Sequence, residues 1–163
     1  MEAEVHIRPI TAADDAQMAA LVQSNLKAHG LDIPGTAYFD PELAHLSRFY
    51  GENPDRRRYF VAADDAGTVL GGAGLAEFDG LADCAEMQKL YLADGAKGKG
   101  LGTRLVRLVE DSARALGYRF LYLETHTNLT AACRMYEKLG FSQIECPAGA
   151  QHGTMNRFYL KTL

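Results

Sequence analysis

Apolar and polar positions predict a strand and two helices in the first third of the chain. Residues 5–10 alternate between apolar and polar side chains, as a half-buried strand does. Thr11 and Asp14 then form a helix-capping signal, and apolar residues follow at helical spacing, at Met18, Leu21, Val22 and Leu26. After a loop over 30–37, Asp40 and Pro41 are typical of the first positions of a second helix, which places Leu43, Leu46 and Tyr50 on one side.

The rest of the chain predicts six strands and two helices. The strands are expected at 59–63, 69–78, 86–92, 120–123, 141–145 and 154–161, and the helices at 101–116 and 131–139. The polar run 53–58 contains three arginines and is predicted to be a solvated loop, with a phosphate contact as the alternative. This order predicts an α/β (α+β) fold in which helices flank one mixed sheet.

Composition supports a globular protein and excludes several functional classes. The 163 residues suffice for one domain, expected to span 1–163, and 47% hydrophobic with 23% charged residues is typical of a folded chain. The net charge of −4 leaves no general basic field, so we expect no nucleic-acid binding. We also expect no membrane association, because no apolar run could span a bilayer, and no basic and apolar leader begins the chain. The cytoplasm is therefore the expected compartment.

The three cysteines predict neither a disulfide framework nor a metal site. Cys84, Cys133 and Cys146 are widely spaced, and no two of them form a Cys-x-x-Cys pair. Cys133 has no histidine beside it in the sequence that would act as a base and make it a nucleophile. His126 and His152 are not spaced as metal ligands with another histidine or cysteine, so we expect no metal dependence.

A glycine-rich loop over 97–102, with the sequence Lys-Gly-Lys-Gly-Leu-Gly, leads into the helix predicted at 101–116. Glycines let the backbone approach an anion closely, and the start of a helix offers unpaired N–H groups and a positive dipole end. The two lysines add positive charge, which suits a ligand with several phosphates. The alternative is a tight strand-to-helix connection without a ligand.

A second motif follows about thirty residues later, over 132–141, with the sequence Ala-Cys-Arg-Met-Tyr-Glu-Lys-Leu-Gly-Phe. Together, the two segments resemble the GCN5-related N-acetyltransferase (GNAT) superfamily, closely over residues 86–141. The resemblance implies a mostly antiparallel sheet in which two central parallel strands, here 86–92 and 119–124, splay apart around acyl-coenzyme A. Lys97 stands where the superfamily usually has Arg or Gln, which keeps the charge but loses the planar fork.

The resemblance also implies which residues bind the cofactor. The backbone of Leu90, Tyr91 and Leu92 is expected to hold the acyl and pantetheine portions of acetyl-CoA. The pyrophosphate is expected to be held by the loop and the first helical turn, that is by Lys97, Gly98, Lys99, Gly100, Leu101, Gly102 and Thr103. Asparagine often occupies a position three residues before the motif alanine. Here Leu129 has that position and Asn128 comes one residue early.

Tyr136 and Glu86 are the predicted catalytic residues. Tyr136 falls where the superfamily has its general acid, and a phenol is protonated at neutral pH; the alternative is a helix tyrosine that only packs. Glu86 matches the strand position of the catalytic glutamate in some members and would remove a proton from the amine, directly or through water. Glu124 and Glu77 are rivals for this role, and each could instead be a simple ion-paired carboxylate. Alternation places Glu86 on one strand face with Gln88, Leu90 and Leu92.

We therefore expect an N-acetyltransferase in which an amine attacks acetyl-CoA directly within a ternary complex. The alternative is a non-catalytic acyl-CoA sensor or partner module. The acceptor, a small amine or a peptide, is expected between residues 26–40 and 146–155, where no motif identifies it; His126 could touch it or be an exposed loop residue, and the same applies to His152. A homodimer is also compatible with the sequence.

Overall fold

The structure is a computed structural model that describes residues 4–163. Within these residues, seven strands form one sheet in the order β1-β2-β3-β4-β5-β7-β6, and β4 with β5 is its parallel pair. The strands are β1 (His6–Pro9), β2 (Arg58–Ala63), β3 (Val69–Glu77), β4 (Cys84–Leu92), β5 (Phe120–Thr125), β6 (Ser142–Ile144) and β7 (Arg157–Thr162). The helices are α1 (Asp15–Ala28), α2 (Leu46–Gly51), α3 (Leu101–Ala115) and α4 (Thr130–Lys138). The predicted fold class is confirmed.

Helices cover both faces of the sheet, and each face has its own apolar core. α1 and α2 bury Met18, Val22 and Leu46 against one face. α3 packs Leu105 and Val109 against the other face, where the apolar side of α4 joins it. The apolar spacing of each helix explains this arrangement, because one stripe per helix must leave water. Within residues 4–163, no helix has the length and apolarity needed to cross a membrane.

The parallel pair separates after a short paired stretch. β4 and β5 pair from Cys84–Phe120 to Glu86–Tyr122, and beyond this point the described backbone of β5 pairs only with β7. From Met87 onward, the facing edges of β4 and β5 are therefore not paired with each other. Backbone polar groups at such an edge require other partners, so the separation creates a place for a ligand.

A β-bulge in β4 alters which side chains share a face. Pairing with β3 passes from Gln88–Gly74 to Tyr91–Gly72, and Lys89 in between has a positive φ of 52°. Alternation predicted Leu90 on the face of Glu86, and this was wrong. The extra residue moves Leu90, together with Leu92, to the α3 core and moves Tyr91 to the α1 core.

The start of the second helix also differs from the prediction. α2 begins at Leu46 after a 3₁₀ turn over Leu43–His45, because His45 has a non-helical backbone with φ −144° and ψ 52°. Asp40 was predicted as the N-cap of this helix, and this was wrong. Its carboxylate instead forms ion pairs with Lys89 and His152, and both of these residues lie far from Asp40 in the sequence.

Candidate functional site

A cavity of about 380 Å³ opens where β4 and β5 separate. Its wall is formed by α1, by β4 from Met87 to Leu92, by the glycine loop 97–102, by the end of β5 and by α4. Every predicted cofactor-binding residue except Lys99 lines it. Because the strands are paired up to Glu86 and Tyr122, the inner end of the cavity lies at Met87 and Leu123, and the glycine loop forms its other end.

The glycine loop has the backbone geometry of an anion cradle. Gly98 and Gly100 have φ values of 76° and 80°, in the left-handed region that favours glycine. Gly102 lies in the first turn of α3, where a Cβ would come 3.0 Å from Met135 Sδ. The first turn of α3 lines the cavity, and the first N–H groups of a helix have no partner within the helix. Lys97 Nζ lies 2.9 Å from Asp94 Oδ1 at the rim.

Contacts from α1 and β2 hold the β4 edge. The Tyr59 hydroxyl donates to the Lys89 carbonyl at 2.7 Å and fixes the bulge. Asn25 Nδ2 donates to the Leu92 carbonyl at 3.0 Å and itself lines the cavity. Asn25 has no sequence motif, so its role at the cavity was not predictable. These side chains thus fix the β4 backbone at both ends of the segment 89–92.

Tyr136 reaches the cavity from α4 and packs against the rings of Phe141 and Tyr159, with centroids 5.9 and 6.0 Å away. Among the described residues, its hydroxyl has no hydrogen-bond partner, yet it is not sealed from the cavity. Burial raises the pKa of this hydroxyl well above its ordinary value. The Tyr136 hydroxyl is therefore protonated at neutral pH and can donate its proton to a ligand.

Glu86 lies behind the cavity wall. The residue is 5% exposed, and its carboxylate accepts a hydrogen bond from Gln88 Nε2 at 2.8 Å. The Tyr50 hydroxyl in turn donates to Gln88 Oε1 at 2.7 Å. Burial, together with the nearby Glu124 carboxylate, raises the pKa of Glu86 to about 7. This carboxyl can thus take or release a proton near neutral pH.

Among the described residues, Glu124 is the acidic residue that lines the cavity. One oxygen accepts from the Tyr122 hydroxyl at 2.9 Å, and the other lies 2.8 Å from His152 Nδ1 and accepts from the His152 backbone N–H at 2.9 Å. The other ring nitrogen of His152 lies 2.9 Å from Asp40 Oδ1. Burial alone would lower the pKa of His152, but hydrogen bonds to Asp40 and Glu124 raise it to about 10.

Lys89 continues this network from the bulge. Its Nζ lies 2.8 Å from Asp40 Oδ2 and 3.0 Å from Glu42 Oε1, and its side chain is 3% exposed. We call the five residues Asp40, Glu42, Lys89, Glu124 and His152 the charged cluster. It connects the loop after α1, the bulge in β4, the end of β5 and the loop before β7. Sequence reasoning missed its connections, since no local motif joins these positions.

Other singled-out residues lie elsewhere. Glu77 forms a two-point ion pair with Arg57, at 2.6 Å for the shorter contact, and does not line the cavity. Arg57 forms an ion pair with Glu77, and Arg56 Nε donates to the Tyr118 hydroxyl. These contacts disfavour the alternative in which the arginine run binds a phosphate. Asn128 donates to the His29 carbonyl at 3.0 Å and thereby joins two loops.

His126 and Cys133 have local structural contacts. His126 Nδ1 accepts from the Asn128 backbone N–H at 3.0 Å, and the Cys133 thiol lies 3.6 Å from the His126 carbonyl. Burial raises the pKa of the Cys133 thiol, which opposes a nucleophilic role. Within residues 4–163, one group of side chains, Glu4, His6 and Asp65, has the spacing of metal ligands, and it lies on the exposed surface at the β1 edge.

Comparisons with known proteins give consistent matches. The profile of the Acetyltransferase (GNAT) family matches residues 21–141. The chain is 32% identical over 145 residues to the Escherichia coli K12 protein described as uncharacterized N-acetyltransferase YjgM, covering 88% of this chain and 85% of that protein. A GNAT-family acetyltransferase from Staphylococcus aureus Mu50 has a similar structure, with a TM-score of 0.87 at 19% identity over 98% of this chain and 99% of that one. A phosphinothricin acetyltransferase from Sinorhizobium meliloti, solved in complex with acetyl-CoA, gives a TM-score of 0.74 at 24% identity, covering 98% and 88%.

Proposed function

The chain belongs to the acetyltransferase (GNAT) family and is an N-acetyltransferase, and from this premise we propose that an amine bound at the inner end of the cavity attacks the acetyl group of acetyl-CoA directly in a ternary complex. The observation that carries this proposal is the convergence on one cavity of a glycine loop, a separated pair of strands and an uncommitted tyrosine hydroxyl.

The residues of the cavity fit acetyl-CoA. The glycine loop and the first turn of α3 offer N–H groups and a helix dipole for the pyrophosphate, and Lys97 adds a positive charge. The unpaired edge formed by Leu90, Tyr91 and Leu92 offers backbone groups to the pantetheine arm, which requires no particular side chain there. When bound, acetyl-CoA supplies an activated acyl thioester.

Tyr136 is proposed as the general acid. Acyl transfer leaves a thiolate that needs a proton, and the Tyr136 hydroxyl can donate one because it has no other partner among the described residues. Its raised pKa keeps the hydroxyl protonated before transfer. The rings of Phe141 and Tyr159 fix its orientation.

Two carboxylates have different proposed roles toward the acceptor amine. We assign Glu124, which lines the cavity, to binding the incoming ammonium. Three hydrogen bonds, one from Tyr122 and two from His152, already fix the position of its carboxylate. Glu86 does not line the cavity, but its pKa of about 7 suits a general base. The proton would reach Glu86 through a bridging water.

The experiment that tests this function combines cofactor binding with thiol release. Titration of acetyl-CoA into the protein by calorimetry is expected to give micromolar binding, and ATP is expected not to compete. Amine-dependent release of the CoA thiol across a panel of amines then establishes the transferase. Tight acetyl-CoA binding without release from any amine would instead favour the acyl-CoA sensor. Absence of CoA binding would refute both.

A further inference from the structure

Resting on the proposed place of acetyl-CoA, we propose that Asn25 and Asn128 are positioning residues that hold the opening between β4 and β5 at the width the pantetheine arm requires. The last turn of α1 is bonded to the end of β4 on one side of this opening and to the loop after β5 on the other. We call the contacts that join four residues in series the α1 bridge; these residues are Leu92, Asn25, His29 and Asn128.

The first link of the bridge joins α1 to the end of β4. Asn25 Nδ2 donates to the Leu92 carbonyl at 3.0 Å and to the Leu21 carbonyl of its own helix at 3.0 Å. Leu92 is the last residue of β4, and the next backbone N–H, that of Ala93, donates to the Leu70 carbonyl at 2.8 Å. The first link therefore fixes β4 at the point where the chain leaves the sheet for the glycine loop.

The second link joins α1 to the loop that follows β5. Asn128 Nδ2 donates to the His29 carbonyl at 3.0 Å. The backbone N–H of Asn128 donates to His126 Nδ1 at 3.0 Å, which orders the loop directly after the strand. Because Thr125 still pairs with Arg157 of β7, this loop starts from a fixed strand end. The second link thus extends from α1 to the end of β5.

The turn between the two links is held together by its own contacts. His29 Nδ1 lies 2.8 Å from the Asn25 carbonyl oxygen, and since a carbonyl only accepts, this nitrogen carries the proton. Leu26 and Leu31 are 0% and 1% exposed, and the Leu31 N–H donates to the Leu26 carbonyl at 2.8 Å. A turn that is anchored in the core in this way moves as a unit, so a displacement at one link reaches the other.

The bridge lies where the ligand is proposed to pass. Three of its four residues line the cavity, namely Leu92, Asn25 and His29. Beyond their short paired stretch, β4 and β5 are joined by contacts outside the sheet. The charged cluster joins them between Lys89 and Glu124, and the α1 bridge joins them nearer the glycine loop. Ligand affinity falls with the fraction of molecules that have a binding-competent site, so a preformed opening favours acetyl-CoA.

A double-variant cycle tests the bridge. Acetyl-CoA is titrated by calorimetry into the wild type, Asn25→Ala, Asn128→Ala and the double variant. One hydrogen bond of this kind is worth about fivefold in a binding constant, so each single variant is expected to bind acetyl-CoA about fivefold more weakly. Since the two links act in series, the double variant is also expected to lose about fivefold. Two independent contacts would instead multiply to about 25-fold.

Gln17→Ala is the matched control. Gln17 joins the other half of α1 to the β2–β3 hairpin, because its Nε2 donates to the Gly67 carbonyl at 3.2 Å and its Oε1 accepts from the Val69 N–H at 2.9 Å. This variant loses two amide hydrogen bonds, as Asn25→Ala does, but Gln17 does not line the cavity. It is expected to keep wild-type acetyl-CoA affinity. Melting temperatures of all the variants check that the fold is retained.

Hydrogen exchange of the unliganded protein tests the bridge without a ligand. In Asn128→Ala, the Ala93 amide at the end of β4 is expected to exchange about fivefold faster than in the wild type. The described hydrogen bond of the Asn128 side chain is with His29, so a purely local role would leave Ala93 unchanged. Gln17→Ala should also leave the Ala93 amide unchanged.

The outcomes separate this inference from the proposed function. Multiplied losses in the double variant, unchanged affinity in both single variants, or an equal loss in Gln17→Ala would overturn the inference. Wild-type exchange of the Ala93 amide in Asn128→Ala would overturn it as well. Absence of acetyl-CoA binding by the wild type would refute the proposed function and with it the role in cofactor binding, while the exchange experiment would still report on the bridge itself.

Discussion

Burial makes Glu86 a different acid from the exposed carboxylates of this chain. A charge with 5% exposure has lost most of its hydration, and the neighbouring Glu124 carboxylate repels it. Its pKa of about 7 lies above the ordinary value of 4.5. The proton is therefore held in the folded state at mildly acidic pH and is released near neutrality, as a general base requires.

Glu86→Gln is expected to change rate and stability in opposite directions. A raised folded-state pKa gives stability that is present below about pH 4.5 and is lost as the pH rises through about 7. At pH 8 the ionised Glu86 therefore costs the wild type about 3 kcal/mol, which the variant regains. Urea unfolding should show a more stable variant at pH 8 and near equality at pH 4.

The same variant should react more slowly and lose the rise in kcat/KM centred near pH 7. Glu124→Gln is the comparison, since it removes the cavity carboxylate and is expected to raise KM for the amine more than it lowers kcat. A rise near pH 7 that persists unchanged in Glu86→Gln would assign the base elsewhere.

Tyr136→Phe is expected to lower kcat by about 10²-fold and to leave acetyl-CoA affinity and melting temperature nearly unchanged. The hydroxyl has no partner to lose among the described residues, and phenylalanine keeps the ring contacts with Phe141 and Tyr159. Tyr118→Phe is the control, because its hydroxyl donates to the Arg56 carbonyl outside the cavity. Full activity of Tyr136→Phe across the pH range would remove it as the acid.

At the scale of elements, the two ends of α3 differ in function although their glycines have similar backbones. Gly100 precedes the helix with φ 80°, and Gly117 follows it with φ 91°; a Cβ would meet no atom within 4 Å at either position. A side chain at either site therefore causes similar backbone strain. The cavity, however, is lined by Gly100 and not by Gly117.

Gly100→Glu is expected to weaken acetyl-CoA binding by at least about 100-fold, because a carboxylate would stand where the phosphates are proposed to bind. Gly117→Glu provides the matched strain and the same charge at a position outside the cavity, and it should keep wild-type affinity. Calorimetry of the two variants, with melting temperatures alongside, separates binding from folding. Equal affinity losses would place the pyrophosphate elsewhere.

At the scale of the whole molecule, His152 joins parts of the fold that share no secondary structure. Its contact with Asp40 spans 112 residues of sequence, and its contact with Glu124 joins the last loop to β5. Thr154 adds hydrogen bonds to Pro34 and Gly35 in the same loop pair. The loops that enclose the proposed acceptor site are thus tied to each other and to the sheet.

His152→Gln is expected to destabilise the protein by about 3 kcal/mol at pH 7, because it leaves two partly buried carboxylates without their cation. The raised folded-state pKa means that this contribution is full below about pH 6.5 and is lost as the pH rises through about 10. The difference from wild type should therefore shrink from about pH 7 upward and be nearly gone at about pH 10. His6→Gln is the control, since the His6 side chain is 52% exposed.

Hydrogen exchange locates the effect of His152→Gln. Amides in loops 29–45 and 146–156 should exchange faster in the variant, while those of α3 should not change. A uniform increase would mean that His152 supports global stability without ordering these loops.

One domain over residues 1–163 and a homodimer stay predictions.

Local signals account for what could be predicted. Helix and strand order, the glycine loop and the Tyr136 motif each depend on residues within one short segment, so their periodicity and spacing are visible in the chain. The prediction failed where tertiary contacts outweighed local preference. The sequence around Asp40 is typical of a helix N-cap, but its carboxylate forms ion pairs with Lys89 and His152. The bulge at Lys89 reversed the strand faces that alternation predicted for the residues after it.

By itself, the sequence determined the family, the fold class and the position of the glycine loop, because these follow from hydrophobic periodicity and from motifs contiguous in the chain. Only the tertiary structure decided which carboxylate faces the cavity and which charges are already paired. Those properties depend on burial and on distances between residues such as Asp40, Lys89 and Glu124, which the fold brings together from separate segments. Charge pairing and pKa are set by three-dimensional surroundings, and spacing along the chain carries no measure of them.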